Sequence, residues 1–212
     1  MYLSNIQNIK VNNKQIALYV PDAAAVKADY LNNIANNTKN AFPYWTKVWP
    51  SAIALSEYID LHIEYVKGKR VLEIAGGLGL PSLVAAQYAA EVCCSDYLSD
   101  IGNYIDASAK QHHLKNVSFQ VINWHELPKN LNVDLILLSD VNYEPDSFIS
   151  ILNMIFYFLN LGKQIILTTP QRLMAKAFIE QLLPYTIINQ TSVVNTSEGS
   201  IAIQLLVLKQ GG

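Results

Sequence analysis

The apolar positions of this chain fall into short runs separated by segments with helical spacing. Val71, Leu72 and Ile74 form one run, and Val133-Asp134-Leu135-Ile136-Leu137-Leu138-Ser139 a longer one. Runs that are apolar on successive residues bury both faces, as parallel strands do. Glu91–Asp96, Val117–Val121 and Gln164–Thr169 complete the inner strands. Between them, apolar residues at helical spacing predict helices over 80–86, 99–113, 147–160 and 174–183. Strands that alternate with helices in this way predict an α/β fold with a doubly wound sheet. The last two strands, Tyr185–Thr191 and Ile201–Leu208, flank a polar loop and predict an antiparallel edge. Ahead of the sheet, Ile6–Val11 and Gln15–Val20 predict a hairpin around Asn12-Asn13, followed by a helix over 23–36. The polar loop Asn36-Asn37-Thr38-Lys39-Asn40 marks a border between this appendage, residues 1–40, and a core of residues 41–212 within one domain. A helix over Ala52–Tyr58, capped by Ser51, leads into the first inner strand.

The turn after that strand carries the candidate chemistry. Glu73 sits inside the end of the run, just before the turn, and Ala75-Gly76-Gly77-Leu78-Gly79 follows before the helix that starts at Leu80-Pro81. Glycine lets backbone approach a ligand closely, and the free N–H groups of a helix start face whatever lies over the turn. A strand, a glycine turn and a helix N-terminus make a nucleoside site. The dinucleotide pattern Gly-x-Gly-x-x-Gly fails at Ser82, and no Lys-Ser/Thr follows the glycines as a triphosphate loop requires. A carboxylate at Glu73 repels phosphate and suits a cation. S-adenosylmethionine carries a sulfonium and an ammonium and no phosphate. Asp96, the acid at the end of the next strand, is placed to accept both ribose hydroxyls.

Glu73-x-Ala75-Gly76-Gly77-x-Gly79 resembles the first motif of the seven-strand S-adenosylmethionine-dependent methyltransferases. Trp49-Pro50-Ser51-Ala52, Ser95-Asp96-Tyr97 and Ser139-Asp140-Val141-Asn142-Tyr143-Glu144 narrow the likeness to non-SET protein lysine methyltransferases and their nicotinamide N-methyltransferase-like relatives. The resemblance covers about residues 41–172. It implies a Rossmann-like seven-strand sheet with an antiparallel last strand. It also implies S-adenosylmethionine as cofactor, with Trp49, Tyr97, Trp124 and Ser139 beside it, along with the turn residues and Asp96. Trp49 lies in an aromatic, proline-framed loop, Phe42–Pro50, and an aromatic face attracts a sulfonium. Trp124 ends a strand, where the family has a Trp beside the adenine. Asp140 and Tyr143, matching the family's Asp-x-x-Tyr, are the implied catalytic residues. Glycine is usual in the family where Ala75 stands, so a Cβ crowds the methionine end of the cofactor here.

Composition removes other classes. The chain has 212 residues, 51% of them apolar and 15% charged, which suits a folded domain that needs no disulfide. A net charge of −2 without a basic block argues against a large nucleic-acid surface. Cys93 and Cys94 are adjacent on a strand and point to opposite faces, so two buried thiols in a reducing cytoplasm are expected. His112-His113 reads as surface or partly buried, and no metal is expected. No signal peptide or ~20-residue apolar span is visible. Three functions stay open: a protein lysine methyltransferase, a methyltransferase for a small amine or metabolite, and a non-catalytic module that binds the cofactor. A dehydrogenase is disfavoured by Glu73 and the failed dinucleotide pattern.

Overall fold

The computed structural model describes residues 2–36, 42–128, 131–197 and 199–211. In chain order its main elements are β1 (Ser4–Val11), β2 (Lys14–Pro21), α1 (Ala23–Ala35), α2 (Pro50–Leu61), β3 (Arg70–Ile74), α3 (Leu80–Ala85), β4 (Glu91–Asp96) and α4 (Ile101–Gln111). Then come β5 (Val117–Val121), β6 (Leu135–Ser139), α5 (Phe148–Asn160), β7 (Gln164–Pro170), α6 (Lys176–Leu182), β8 (Thr186–Thr196) and β9 (Gly199–Leu208). Of the expected polar loop 36–40, residues 37–40 lie outside the described residues.

β3 to β9 form one seven-stranded sheet in the order β5-β4-β3-β6-β7-β9-β8. The pairs β5-β4, β4-β3, β3-β6 and β6-β7 are parallel, and β9 runs antiparallel between β7 and β8. The doubly wound fold with an antiparallel last strand is therefore as expected. The order reverses between β3 and β6, so a crevice opens beyond their C-terminal ends.

Strand alternation divides the core into two layers. Val71, Leu135, Leu137, Ile166, Leu205 and Val207 face one side, where Leu55 and Ile59 of α2 and Leu83 of α3 cover them. Leu72, Ile74, Ile136, Leu138, Leu167 and Leu206 face the other, under Ile151, Ile155 and Phe158 of α5. α4 lies so close to β5 that a Cβ on Gly102 would sit 2.6 Å from Phe119 Cδ1, which explains a glycine inside a helix. The β1-β2 hairpin docks on the α2 and α3 side. Val11, Ile16 and Leu18 join that layer, and Lys14 Nζ reaches Asp60 Oδ1 at 2.5 Å.

Three local expectations change. Ser51 does not cap α2: Trp49 holds the N-cap position and Pro50 is the first helical residue. Proline's fixed φ suits that first position, which moves Ser51 inside the helix, fully buried. α4 is shorter than expected by two residues at each end. β8 runs on to Thr196, so the expected polar loop shrinks to a turn between Thr196 and Gly199. The polar residues of β8 face solvent on the sheet edge, and pairing with β9 outweighs their weak strand propensity.

Candidate active site

β3 and β6 both leave the sheet through a left-handed residue. Ala75 follows β3 with φ 54° and Asp140 follows β6 with φ 55°. Such a conformation costs an L-residue about 1–2 kcal/mol. These two kinks open the crevice at the switch point. Gly77 and Gly79 are also left-handed, at φ 52° and 69°. Gly79 is the residue from which α3 starts. Gly76 has a different reason to be glycine, since its Cβ would lie 2.7 Å from Cys94 Sγ. At Gly79 both reasons apply, because a Cβ would meet Ile105 Cδ1 at 2.5 Å. Gly79→Ala is therefore expected to lower the melting temperature more than Gly77→Ala, whose nearest neighbour is the Trp45 backbone at 3.7 Å. Parallel thermal melts compare them.

Ala75 occupies the strained position without losing the turn. Ala75→Gly is expected to leave stability level or raise it by up to about 1 kcal/mol. Relief of the left-handed strain is offset in part by the greater freedom of glycine in the unfolded chain. Thermal melts and cofactor calorimetry read the outcome, with binding expected to tighten or stay level.

The turn is tied to the end of β4. Asp96 Oδ2 accepts the Gly77 N–H at 3.1 Å, and Oδ1 accepts the Tyr97 N–H at 2.8 Å. Burial raises the Asp96 carboxyl above its usual value, and these backbone donors oppose that. The carboxylate still reaches a cavity of about 200 Å³ over the turn. All the predicted site residues except Glu73 line this cavity. Ala75, Gly76, Gly77 and Gly79 form its floor. Ser139, Asp140 and Tyr143 line it from the β6 side, and Trp49, Tyr97 and Trp124 add aromatic surface. A second hollow of about 370 Å³ adjoins it, bounded in part by Tyr97, Ile122, Asn123 and Trp124.

Glu73 lies elsewhere. Alternation along β3 puts its side chain on the Val71 face, under the turn, where it is fully buried. Its Oε2 accepts the Ser82 N–H at 3.0 Å and the Ser82 hydroxyl at 2.5 Å. Burial pushes its carboxyl up to about 8, against the Ser82 hydrogen bonds. The acid thus stays protonated at neutral pH, which removes the charge from which phosphate repulsion was expected. The unfolded chain ionises this group near 4.5, so stability falls as pH rises from there toward about 8. Glu73→Gln is expected to abolish that slope. Its unfolding free energy relative to wild type should climb between pH 5 and pH 8, a difference on the order of a few kcal/mol.

The aromatic loop before α2 closes the cavity from above. Trp49 Nε1 donates to the Tyr44 carbonyl at 2.8 Å, which fixes the indole. The Lys47 ammonium lies 4.1 Å from the Trp49 ring centroid, so one indole face already carries a cation. Tyr44 stacks at a tilt on Tyr143, centroids 4.9 Å apart, and Phe42 follows at 4.7 Å from Tyr44. Burial raises the Tyr143 phenol well above its ordinary value, and the same cause takes Tyr97 to about 12.

Asp140 is not a free carboxylate. Arg172, just past β7, donates to it with both terminal nitrogens, Nη1 to Oδ1 at 2.5 Å and Nη2 to Oδ2 at 3.1 Å. Arg172, Tyr44 and Lys47 line the cavity as well, and sequence reasoning does not single them out. The available signal was composition: the chain has only two arginines, and one of them follows an inner strand.

The cavity fits S-adenosylmethionine. Asp96 stands at a strand end on its wall, Tyr97 and Trp124 add aromatic surface, and the glycines let a ligand come close to the turn. Among the described residues no group of three or more His, Cys, Asp or Glu side chains is arranged to hold a metal. Likewise no helix among them is long and apolar enough to cross a membrane.

Known proteins share both sequence and fold. Histone-arginine methyltransferase METTL23 of Mus musculus is 33% identical over 123 residues, 55% of this chain and 48% of that protein. Protein N-lysine methyltransferase METTL21A of Danio rerio is 30% identical over 129 residues, 57% of each. The chain spans about half the length of these curated relatives. Among solved structures, N-methyltransferase NodS from Bradyrhizobium japonicum with S-adenosyl-L-homocysteine superposes with a TM-score of 0.58. It is 11% identical over 73% of this chain and 85% of that one, a likeness of fold. The profile of one family, described as lysine methyltransferase, matches residues 5–183. With the motifs and the sheet in agreement over that span, the chain belongs to the lysine methyltransferase family.

Proposed function

We propose that this chain is an S-adenosylmethionine-dependent N-methyltransferase whose acceptor is a lysine amine of a protein. The observation that carries the reading is the position of Asp140 and Tyr143. They stand at the end of β6, across the switch point from the glycine turn and on the wall of the same cavity. S-adenosylmethionine, when bound, supplies the methyl group. The chain's own contribution is to hold the cofactor at the turn and at Asp96, and to bring an amine in line over it. The Tyr143 phenol, neutral across the working pH range, offers an oxygen to the amine N–H. Phe42, Tyr44 and Tyr143 form an aromatic wall that suits the alkyl stem of a lysine. The lysine reading also follows the family's description and the METTL21A relative. We place the reaction in the cytoplasm, where the free thiols of Cys93 and Cys94 are preserved. The N-terminal hairpin, joined to α2 by Lys14 and Asp60, we read as part of one domain with the sheet.

A second reading has its own support: METTL23 is named a histone-arginine methyltransferase and matches at slightly higher identity. One experiment separates them. The protein is incubated with cell lysate and radiolabelled S-adenosylmethionine, and label is partitioned between protein and small molecules. Labelled protein is then hydrolysed to amino acids. Methyl-lysine is expected. Methyl-arginine transfers the assignment to the second reading, and label in small molecules alone makes the acceptor a metabolite. No label anywhere, with cofactor bound, marks a non-catalytic module.

A further inference from the structure

We propose that Arg172 is a positioning residue that cancels the charge of Asp140, so that the acceptor amine sheds its proton in the pocket. The proposal rests on the lysine reading above and adds to it the group that sets the acceptor's protonation state.

A lysine amine attacks only when neutral, since its lone pair forms the new N–C bond as the S–C bond breaks. A lone carboxylate beside it works against this, because an opposite charge within about 4–6 Å favours the charged form of either partner. Asp140 is 8% exposed, with little water to screen it. Left alone, it would hold an incoming lysine as ammonium. Arg172 removes that difficulty. Its two-pronged contact takes both carboxylate oxygens, and such a pair is geometrically fixed as well as strong. The outer lone pairs of the oxygens stay available to accept an N–H from a neutral amine.

Both partners are anchored by the sheet. The Asp140 N–H donates to the Thr168 carbonyl of β7 at 2.9 Å. Arg172 follows Pro170, the last residue of β7 paired with β9. The pair therefore joins the ends of adjacent strands. Other groups near the pair do not replace its effect. Tyr44 stacks on Tyr143, and burial raises the Tyr97 and Tyr143 phenols, so that neither carries charge near neutral pH. Glu144 and Asp96 act on both phenols and add negative charge, while Lys47 adds a second cation at the cavity wall. With Arg172 gone, Asp140 meets the acceptor without its countercharge, while Asp96 on the cofactor side and Glu144 in the adjoining hollow add negative charge and Lys47 stands on the cavity wall.

The test reads label entering methyl-lysine in lysate protein, at saturating S-adenosylmethionine, between pH 6 and pH 10. Wild type, Arg172→Gln, Arg172→Lys and the double variant Asp140→Asn/Arg172→Gln are compared. The half-maximal pH of Arg172→Gln is expected to rise by about one unit or more. At pH 7 that is a loss of roughly tenfold, recovered in part near pH 9. Arg172→Lys keeps the charge and should shift less. The double variant lacks both charges, so its profile should return toward that of wild type even with lower turnover. Calorimetry with S-adenosylhomocysteine and thermal melts confirm that each variant is folded and binds. An equal loss at every pH, or a double variant shifted as far as the single, overturns the proposal and leaves Arg172 a structural residue. If wild type labels arginine or small molecules and not lysine, the functional reading itself has failed. That outcome is distinct, because it appears before any variant is made.

Discussion

Asp96→Ala is expected to weaken binding of S-adenosylmethionine and its demethylated product at least tenfold, as titration calorimetry would show. Hydrogen bonds to a charged acceptor are worth about 1.5–3 kcal/mol each, and the ribose offers two donors. Loss of even one such bond gives a factor of ten or more. The structure adds a second effect, because the same carboxylate holds the Gly77 and Tyr97 N–H groups. Removing it leaves the turn less ordered, so the on-rate should fall along with the affinity. Asp96→Asn keeps one carbonyl acceptor and should lose less than the alanine variant. NAD should bind neither wild type nor variant. If NAD binds and S-adenosylmethionine does not, the cofactor assignment is lost. An unchanged affinity in Asp96→Ala moves the ribose to another part of the cavity.

The second large effect concerns the acceptor side. Asp140→Asn and Tyr143→Phe are each expected to lower kcat while leaving cofactor affinity within a few-fold of wild type. On the proposed reading both groups contact the acceptor rather than the ribose or base, so their loss would be felt in the transition state. Asp140→Asn should be the more severe, on the order of a hundredfold. It removes an acceptor for the amine and also leaves Arg172 without its countercharge. Tyr143→Phe removes one hydroxyl but keeps the stacking on Tyr44, so about tenfold is expected. Single-turnover rates at saturating cofactor separate chemistry from release. Wild-type turnover in both variants would place the acceptor elsewhere.

What could be read from the sequence had a local cause. The glycine turn was legible because left-handed and crowded positions select glycine, and Asp96 because an acid closes a strand beside that turn. The Asp140 and Tyr143 pair was legible as a motif at a strand end. Arg172 was not, since its contact with Asp140 spans 32 residues and leaves no pattern in either segment. Glu73 lies next to the turn in sequence, which suggests the ligand side. The period of two along β3, which puts it with Val71 beneath α3, was the better guide. β8 is longer than its sequence suggests, because Asn, Gln, Thr and Ser look like loop until a partner strand is known. Ser51 has the chemistry of a cap, but Pro50 prefers the first helical position and moves the helix start ahead of it.

The place of β9 in the sheet has a consequence for how the protein is made. β7 is complete once residue 170 is synthesised, but the strand that covers its free side ends at residue 208. Those 38 residues take roughly 2–8 s to translate. During that interval one side of β7 presents unpaired backbone N–H and C=O groups between two apolar layers. An open strand edge of this kind is a template for pairing with another chain. The nascent polypeptide thus passes through a vulnerable stage that the finished molecule never shows. Slow codons after position 170 would lengthen that exposure, and yield would fall without any change in the sequence of the protein.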